Sequence, residues 1–111
     1  MSAPDPFVYH ATLLRVIDAD TVVLDLDMGF HQARLRQSYR LLRIDAPELT
    51  TPAGIVARSA LVDYLPGKDL VVQTHKSDSF GRYLVDLWAD GQNVNDWLVV
   101  NGHAVLRSYS G

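Results

Sequence analysis

Two acidic residues and a proline crowd one short stretch, "LLRIDAPELT", where Asp45 and Glu48 stand three apart with Pro47 between them. Glu48 is the chain's only glutamate; every other acidic residue is Asp. Proline biases the residue before it toward extended backbone. That would direct the Asp45 side chain, the Ala46 carbonyl and the Glu48 side chain to one locale. A further acidic point is Asp20 in "VIDADTVVL". It has the parity of Val22 and Leu24, and a carboxylate ending an inward face is costly unless a cation or donors meet it. Oxygen ligands of this kind suit Ca²⁺ or Mg²⁺, whereas the absence of Cys and of spaced His pairs counts against Zn²⁺. Arg40, with the parity of Leu42 and Ile44, and Arg82, in the polar loop "DSFGR", add two guanidinium groups. Carboxylates for a hard cation beside fixed Arg charges are the equipment of phosphoryl transfer.

Each of these residues also has a plainer reading. "DAD" before a strand suits Asx-turn chemistry, Glu48 could cap a following helix, Arg40 could be a paired structural arginine, and "DSFGR" could be an ordinary turn. The sum of several carboxylates and two arginines at strand ends and loops favours chemistry.

The elements that must position these groups are legible as pattern. "FVYHATLLRVI", residues 7–17, is β-branched, aromatic and aliphatic and reads as a strand. "TVVLDLDMG", 21–29, alternates, with Val22, Leu24, Leu26 and Met28 on one face. Gly29 turns the chain into "HQARLRQSYRLLRI", a long third strand that pairs back as a hairpin. In "TPAGIVARSALVDYLPGK", Thr51 is placed to cap a helix with Pro52 at its first position. Val56, Ala57, Ala60, Leu61 and Tyr64 form its apolar stripe, and Pro66-Gly67 ends it. "DLVVQT" and "RYLVDLWA" are further strands, the second closed by Asp90-Gly91. "NVNDWLVVNG" is a short helix with Asn93 as N-cap. Five strands with a helix after the third is the order of an OB-type barrel. The expected class is therefore mainly β with α: a five-stranded OB-fold β-barrel with two packed helices, as one domain over residues 1–111.

Composition bounds the partners. Apolar residues make up 48% and charged residues 21%, an ordinary globular profile. No run of 18 apolar residues suggests a membrane span, and "MSAPDPFVYH" has no signal-peptide pattern, so the expected compartment is cytoplasmic or left open. A net charge of −3 argues against a broad electrostatic grip on nucleic acid. It leaves room for a local cationic site, since eight of the ten basic residues are Arg and Arg34, Arg36, Arg40 and Arg43 cluster in sequence. His10, His31, His75 and His103 have no metal spacing and read as surface or packing groups, and Trp88 and Trp97 as core.

Four of these stretches, "RVIDADTVVL", "RLLRIDAPE", "SFGRYL" and "VNDWLVVNGHA", occur in the order and approximate spacing of the staphylococcal nuclease (thermonuclease) family. The resemblance runs from about Ala11 to Leu106. It implies an OB-fold barrel with packed helices and a calcium-dependent endonuclease acting on DNA and RNA. Matched by motif, Asp20 and Asp45 take the place of the metal carboxylates and Ala46 that of a main-chain carbonyl ligand. Glu48 matches the residue that activates or positions the attacking water, and Arg40 and Arg82 the two arginines that grip the scissile phosphate. Several positions depart from the pattern. Ser79 and Phe80 replace a lysine and a tyrosine that hold a terminal phosphate, and Tyr109 stands in for a stacking tyrosine. The turn between Thr21 and Arg40 is longer, so that hairpin is expected to project over the site. After the last matched motif, the residues up to Gly111 are expected to be too few for the family's C-terminal helix. The expected cofactor is Ca²⁺, the substrates DNA and RNA, and the chain a monomer away from membranes. The alternative is a non-catalytic OB module binding single strands or a protein. Such modules depend on aromatic stacking and a basic groove, and here the aromatics are few and the charge balance acidic.

Overall fold

The computed structural model describes residues 8–77 and 83–107, so Ser79, Phe80, Arg82 and Tyr109 lie outside the described residues. Strands β1 (Val8–Asp18), β2 (Thr21–Gly29) and β3 (Gln32–Leu41) form an antiparallel meander. A two-residue strand β4 (Ile44–Asp45) and helix α1 (Pro52–Tyr64) follow. Then come β5 (Leu70–Ser77), β6 (Tyr83–Ala89), the short β7 (Gln92–Asn93), helix α2 (Val94–Val100) and β8 (Val105–Leu106). β5 pairs with both β1 and β6, and a parallel pairing of β3 with β6, from Tyr39↔Tyr83 to Leu41↔Val85, closes the sheet. The result is a five-stranded barrel with two helices, as the strand order predicts.

Alternation explains the barrel interior. Val22, Leu24 and Leu26 of β2, Tyr39 and Leu41 of β3, Val72 of β5, and Val85 and Leu87 of β6 are all buried in one apolar core. Met28 has the same parity but is exposed, because the β2–β3 hairpin continues past the barrel to a tip at Phe30 and His31. Both tip residues have positive φ, 54° and 59°, as a two-residue hairpin turn with the right-handed twist requires. The tip lies at the far end of β2 from Asp20, so the hairpin extends away from the Asp20–Arg40 end rather than over it.

The third strand is shorter than the pattern suggests. Arg43 adopts the left-handed region (φ 69°), which breaks the strand after Leu41 and restarts it as β4, paired with β8. The break resets parity: Tyr39 and Leu41 face the core, and Arg40 faces the opposite way rather than sharing an apolar face with Leu42 and Ile44.

Helix α1 begins as expected, with the Thr51 hydroxyl accepting from Gly54 N at 3.0 Å and Pro52 at the first position. Its buried row is Gly54, Ala57 and Leu61, continued by Leu65, and Val56 faces solvent. Arg58 Nε donates to the carbonyls of Val16 and Ile17 at 3.1 and 3.2 Å, tying the helix to the end of β1. Tyr64 stacks on Trp97 of α2 with ring centroids 4.0 Å apart. Both tryptophans are half-buried rather than core: Trp97 packs against the core from outside, and Trp88 stays partly open on β6.

Candidate active site

Asp20 sits in the turn between β1 and β2, where Asp18 Oδ1 accepts its N–H at 3.2 Å. The Asx-turn role therefore belongs to Asp18 and leaves the Asp20 carboxylate available. Asp20 Oδ1 accepts from the Thr21 hydroxyl at 3.1 Å, and Oδ2 accepts from Ala46 N at 3.0 Å. Through Ala46, the start of β2 is held against the "DAPE" loop, 26 residues on.

Arg40 is 7% exposed and occupies the space between these segments. Its Nη1 donates to the carbonyls of Leu41 and Ile44 at 3.3 and 3.0 Å. Its Nη2 pairs with Asp45 Oδ1 and lies 3.5 Å from Asp20 Oδ2. Two carboxylates from different strand ends thus converge on one guanidinium nitrogen. A buried guanidinium needs such partners, because desolvating it alone would be prohibitive.

A second cation, Arg107, reaches the same Asp45 oxygen at 3.3 Å from just beyond β8. It arrives there because β8 pairs with β4, placing Val105 opposite Asp45, and Arg107 N donates to Arg43 O at 2.7 Å. Reasoning from sequence did not single out Arg107. The signal, an arginine shortly after an Ala-Val-Leu stretch, means nothing until the β4–β8 pairing is known.

The loop that carries Asp45 is itself pinned. Asn95, fully buried at the start of α2, donates to the carbonyls of Leu42 and Val85 at 2.9 and 3.1 Å and accepts from Leu87 N at 3.1 Å. One side chain therefore joins α2, β6 and the turn after β3. Arg43 is anchored on the buried Asp86 through two bonds of 3.0 and 2.6 Å, and Asp86 also receives His75 at 3.2 Å. The arginines that cluster in sequence do not converge in space. Arg40 meets Asp20 and Asp45, Arg43 meets Asp86, Arg34 lies over the Tyr83 ring, and Arg36 is exposed on the hairpin.

Glu48 is exposed, and its carboxylate has no hydrogen bond or ion pair among the described residues. Capping of α1 falls to Thr51, so the side chain of Glu48 is not used as a cap. Its backbone is fixed, with the Glu48 carbonyl accepting from Thr51 N at 3.0 Å and from the Thr51 hydroxyl at 2.7 Å. Gly54 then allows α1 to approach this turn closely: a Cβ there would lie 1.9 Å from the Glu48 carbonyl oxygen.

The charge state follows from the contacts. Burial pushes the Asp20 carboxyl up, but its hydrogen bond with Asp18, the Ala46 N–H, the Arg40 charge and the Thr21 hydroxyl outweigh burial and hold it below its ordinary value. Asp18 moves the other way, to about 6, through burial and then the hydrogen bond and charge of Asp20. Of this pair Asp20 is the persistent anion.

The donor set decides what the site can hold. Asp20 and Asp45 offer hard carboxylate oxygens, and no group of three or more His, Cys, Asp or Glu side chains gathers among the described residues. That chemistry fits a hard cation which completes its shell with backbone carbonyls and water, as Ca²⁺ or Mg²⁺ does, and does not fit a closed zinc site. Beside Asp45 lies a hollow of about 210 Å³, lined by Ala46, Pro47, Gly102, Ala104 and Val105.

The fold is an OB-type barrel that carries two carboxylates and a nearly buried guanidinium at one end. The chain belongs to the staphylococcal nuclease homologue family, whose model matches residues 38–111. It is 38% identical over 65 residues to a probable staphylococcal-like nuclease, CAN2, of Oryza sativa subsp. japonica, a match covering 59% of this chain and 18% of that protein. It is 34% identical over 104 residues to an uncharacterized endonuclease of Escherichia coli, covering 91% of this chain and 63% of that protein. The chain thus spans under a fifth of the plant relative and somewhat under two thirds of the bacterial one. The family match contains Arg40, Asp45, Ala46, Glu48 and Arg82; Asp20 lies outside it and joins the site through its contacts with Ala46 and Arg40.

Proposed function

We propose that the chain is a metal-dependent phosphodiesterase that cuts DNA and RNA internally, with Ca²⁺ as its ion. The observation that carries this reading is the convergence of Asp20 and Asp45 on Nη2 of a nearly buried Arg40. An arginine so placed is prepaid in orientation, since its other nitrogen is fixed on two carbonyls. In the resting protein the two carboxylates neutralise it. When a phosphodiester arrives, a non-bridging oxygen takes over Nη2 from the carboxylates while Nη1 stays on the Leu41 and Ile44 carbonyls, a charge-assisted hydrogen bond of the kind guanidinium makes to phosphate. Asp20, Asp45 and the Ala46 carbonyl would hold the divalent ion, which when bound would offset phosphate charge and polarise water.

Glu48 accepts the proton of the attacking water, contributing roughly 10²–10⁴ in rate as general base. Its side chain is committed to no other group among the described residues, while its backbone is locked by Thr51. Arg82 is proposed as the second guanidinium on the phosphate, with Phe80 and Tyr109 as contacts for the flanking nucleotides; all three lie outside the described residues. Membership of the nuclease family and the bacterial relative named as an endonuclease support the reaction class.

The test is cleavage of supercoiled plasmid and of a structured RNA at millimolar Ca²⁺, with a chelator control, by wild type and Glu48→Gln. The expected result is chelator-sensitive nicking that drops ~10² or more in the variant with unchanged Tm. Full activity in Glu48→Gln removes Glu48 from its role. Binding of oligonucleotide without any cutting would shift the chain to the non-catalytic OB module.

A further inference from the structure

Asp86 is a buried carboxylate outside the Asp20–Asp45 cluster, and Arg43 is an arginine in a backbone conformation that favours glycine. The two meet through parallel bonds of 3.0 and 2.6 Å. We propose that Asp86 and Arg43 are positioning residues: their ion pair holds Arg43 in the left-handed conformation and so aims Asp45 at Arg40. What Asp45 then does rests on the nuclease reading; how it is aimed does not.

Parity shows what the conformation achieves. A strand running on from Leu41 with period two would turn Arg43 and Asp45 inward and Ile44 outward. With φ of 69° at Arg43 the chain gains a step, and Leu41 and Ile44, three apart, are both buried in the core. Asp45 is thereby released to pair with Arg40 Nη2, and the Ile44 carbonyl accepts from Arg40 Nη1 at 3.0 Å. Leu42 N donates to the Val85 carbonyl at 2.8 Å, so the turn is docked on β6 next to Asp86.

The conformation needs a hold. Left-handed backbone is costly for any residue with a Cβ, and arginine lacks the short side chain with which Asn or Asp bonds locally to adopt it. Asp86 supplies the hold. Its side chain is 8% exposed, and a carboxylate so desolvated requires donors. His75 Nε2 and Asn93 Nδ2 contribute at 3.2 and 3.4 Å, while Arg43 adds a permanent charge and a two-pronged bond. One ion pair therefore satisfies Asp86 and fixes the turn before Asp45.

The competing account is that the backbone bonds of the turn hold it unaided and the ion pair adds only overall stability. Amide hydrogen exchange on the metal-free protein separates the two. It is read at Ala46 N–H, which donates to Asp20 Oδ2, against core amides of β5 and β6. Arg43→Ala and Arg43→Gly lose the same ion pair and differ in whether the residue accepts a positive φ. In Arg43→Ala, Ala46 protection should fall roughly five- to thirty-fold more than that of the core, the weight of a left-handed residue with a Cβ. In Arg43→Gly it should return toward wild type. Asp86→Asn should lower Ala46 protection in the same local way, and adding Arg43→Gly should restore it. Unchanged relative protection in Arg43→Ala or Asp86→Asn, or a Gly variant no better than the Ala variant, would overturn the proposal. Ca²⁺ uptake and cutting by wild type are measured separately. The exchange pattern without either keeps the brace and removes the nuclease reading, whereas Ca²⁺-dependent cutting without the pattern removes only the brace.

Discussion

Gly54→Ala should uncouple helix propensity from stability and, through Glu48, from activity. In a helix, replacing Gly with Ala ordinarily stabilises by roughly 0.5–1 kcal/mol, and Gly54 is not among the positive-φ glycines that would forbid a side chain. The new Cβ, however, would lie 1.9 Å from the Glu48 carbonyl oxygen, 2.4 Å from its carbon and 2.8 Å from the Pro47 oxygen. These are backbone atoms, held by the two hydrogen bonds from Thr51, so no rotamer change relieves the overlap. An ordinary carbon–oxygen contact is about 3.3 Å, so the turn and the helix must separate by roughly 1.4 Å. Overpacking of this kind costs about 1–3 kcal/mol or more, which outweighs the propensity gain. The net expectation is a Tm lower by about 4–8 °C. A displacement of about 1 Å in a group near the reaction costs on the order of 10² in rate, so the loss in cutting should exceed the loss in folded fraction. Thermal melts and plasmid-nicking rates at 25 °C, where the variant stays folded, measure the two separately. A Tm raised as propensity alone predicts, with unchanged nicking, would refute the reasoning that Gly54 sets the position of Glu48.

Asn95→Ala should cost roughly 3–5 kcal/mol, because the Leu42 and Val85 carbonyls and the Leu87 N–H lose a buried partner together; urea unfolding should show it as a lower midpoint at unchanged m. Arg107→Ala should leave Tm nearly unchanged, since its pair with Asp45 is half-exposed.

The main chain was legible where local rules act alone. Alternation in "TVVLDLDMG", the Thr51-Pro52 helix start and the Asn93 cap appear where the sequence places them. What was not legible depends on one residue resetting a register or on pairing distant in sequence. Arg43 in the left-handed region ends β3 early and reverses the parity argument made for Arg40, and nothing in "RLLRID" announces that an arginine will take that conformation. Arg40 is nonetheless at the site, for a different reason: it is buried under Asp20 and Asp45, not on an apolar face. Val56 belongs to the stripe by hydrophobicity but not by helical phase, since the buried row runs through Gly54, Ala57 and Leu61. Gly54 itself looks like a helix weakness until the Glu48 carbonyl is found against it. Nothing in the sequence singles out Asn95 and Asp86, and only the packing of α2 and Arg43 over β6 shows why they are buried.

The measurement that bears most directly on the central reading compares wild type with Asp45→Asn in cutting a labelled single-stranded oligonucleotide at saturating substrate, across a Ca²⁺ titration. Asp45 accepts from both Arg40 and Arg107, and Asn keeps its shape while removing its charge. The expected result is Ca²⁺-dependent cutting by wild type and a rate ~10²–10³ lower in the variant. Cutting that ignores Ca²⁺, or an Asp45→Asn protein that titrates and cuts like wild type, would contradict it.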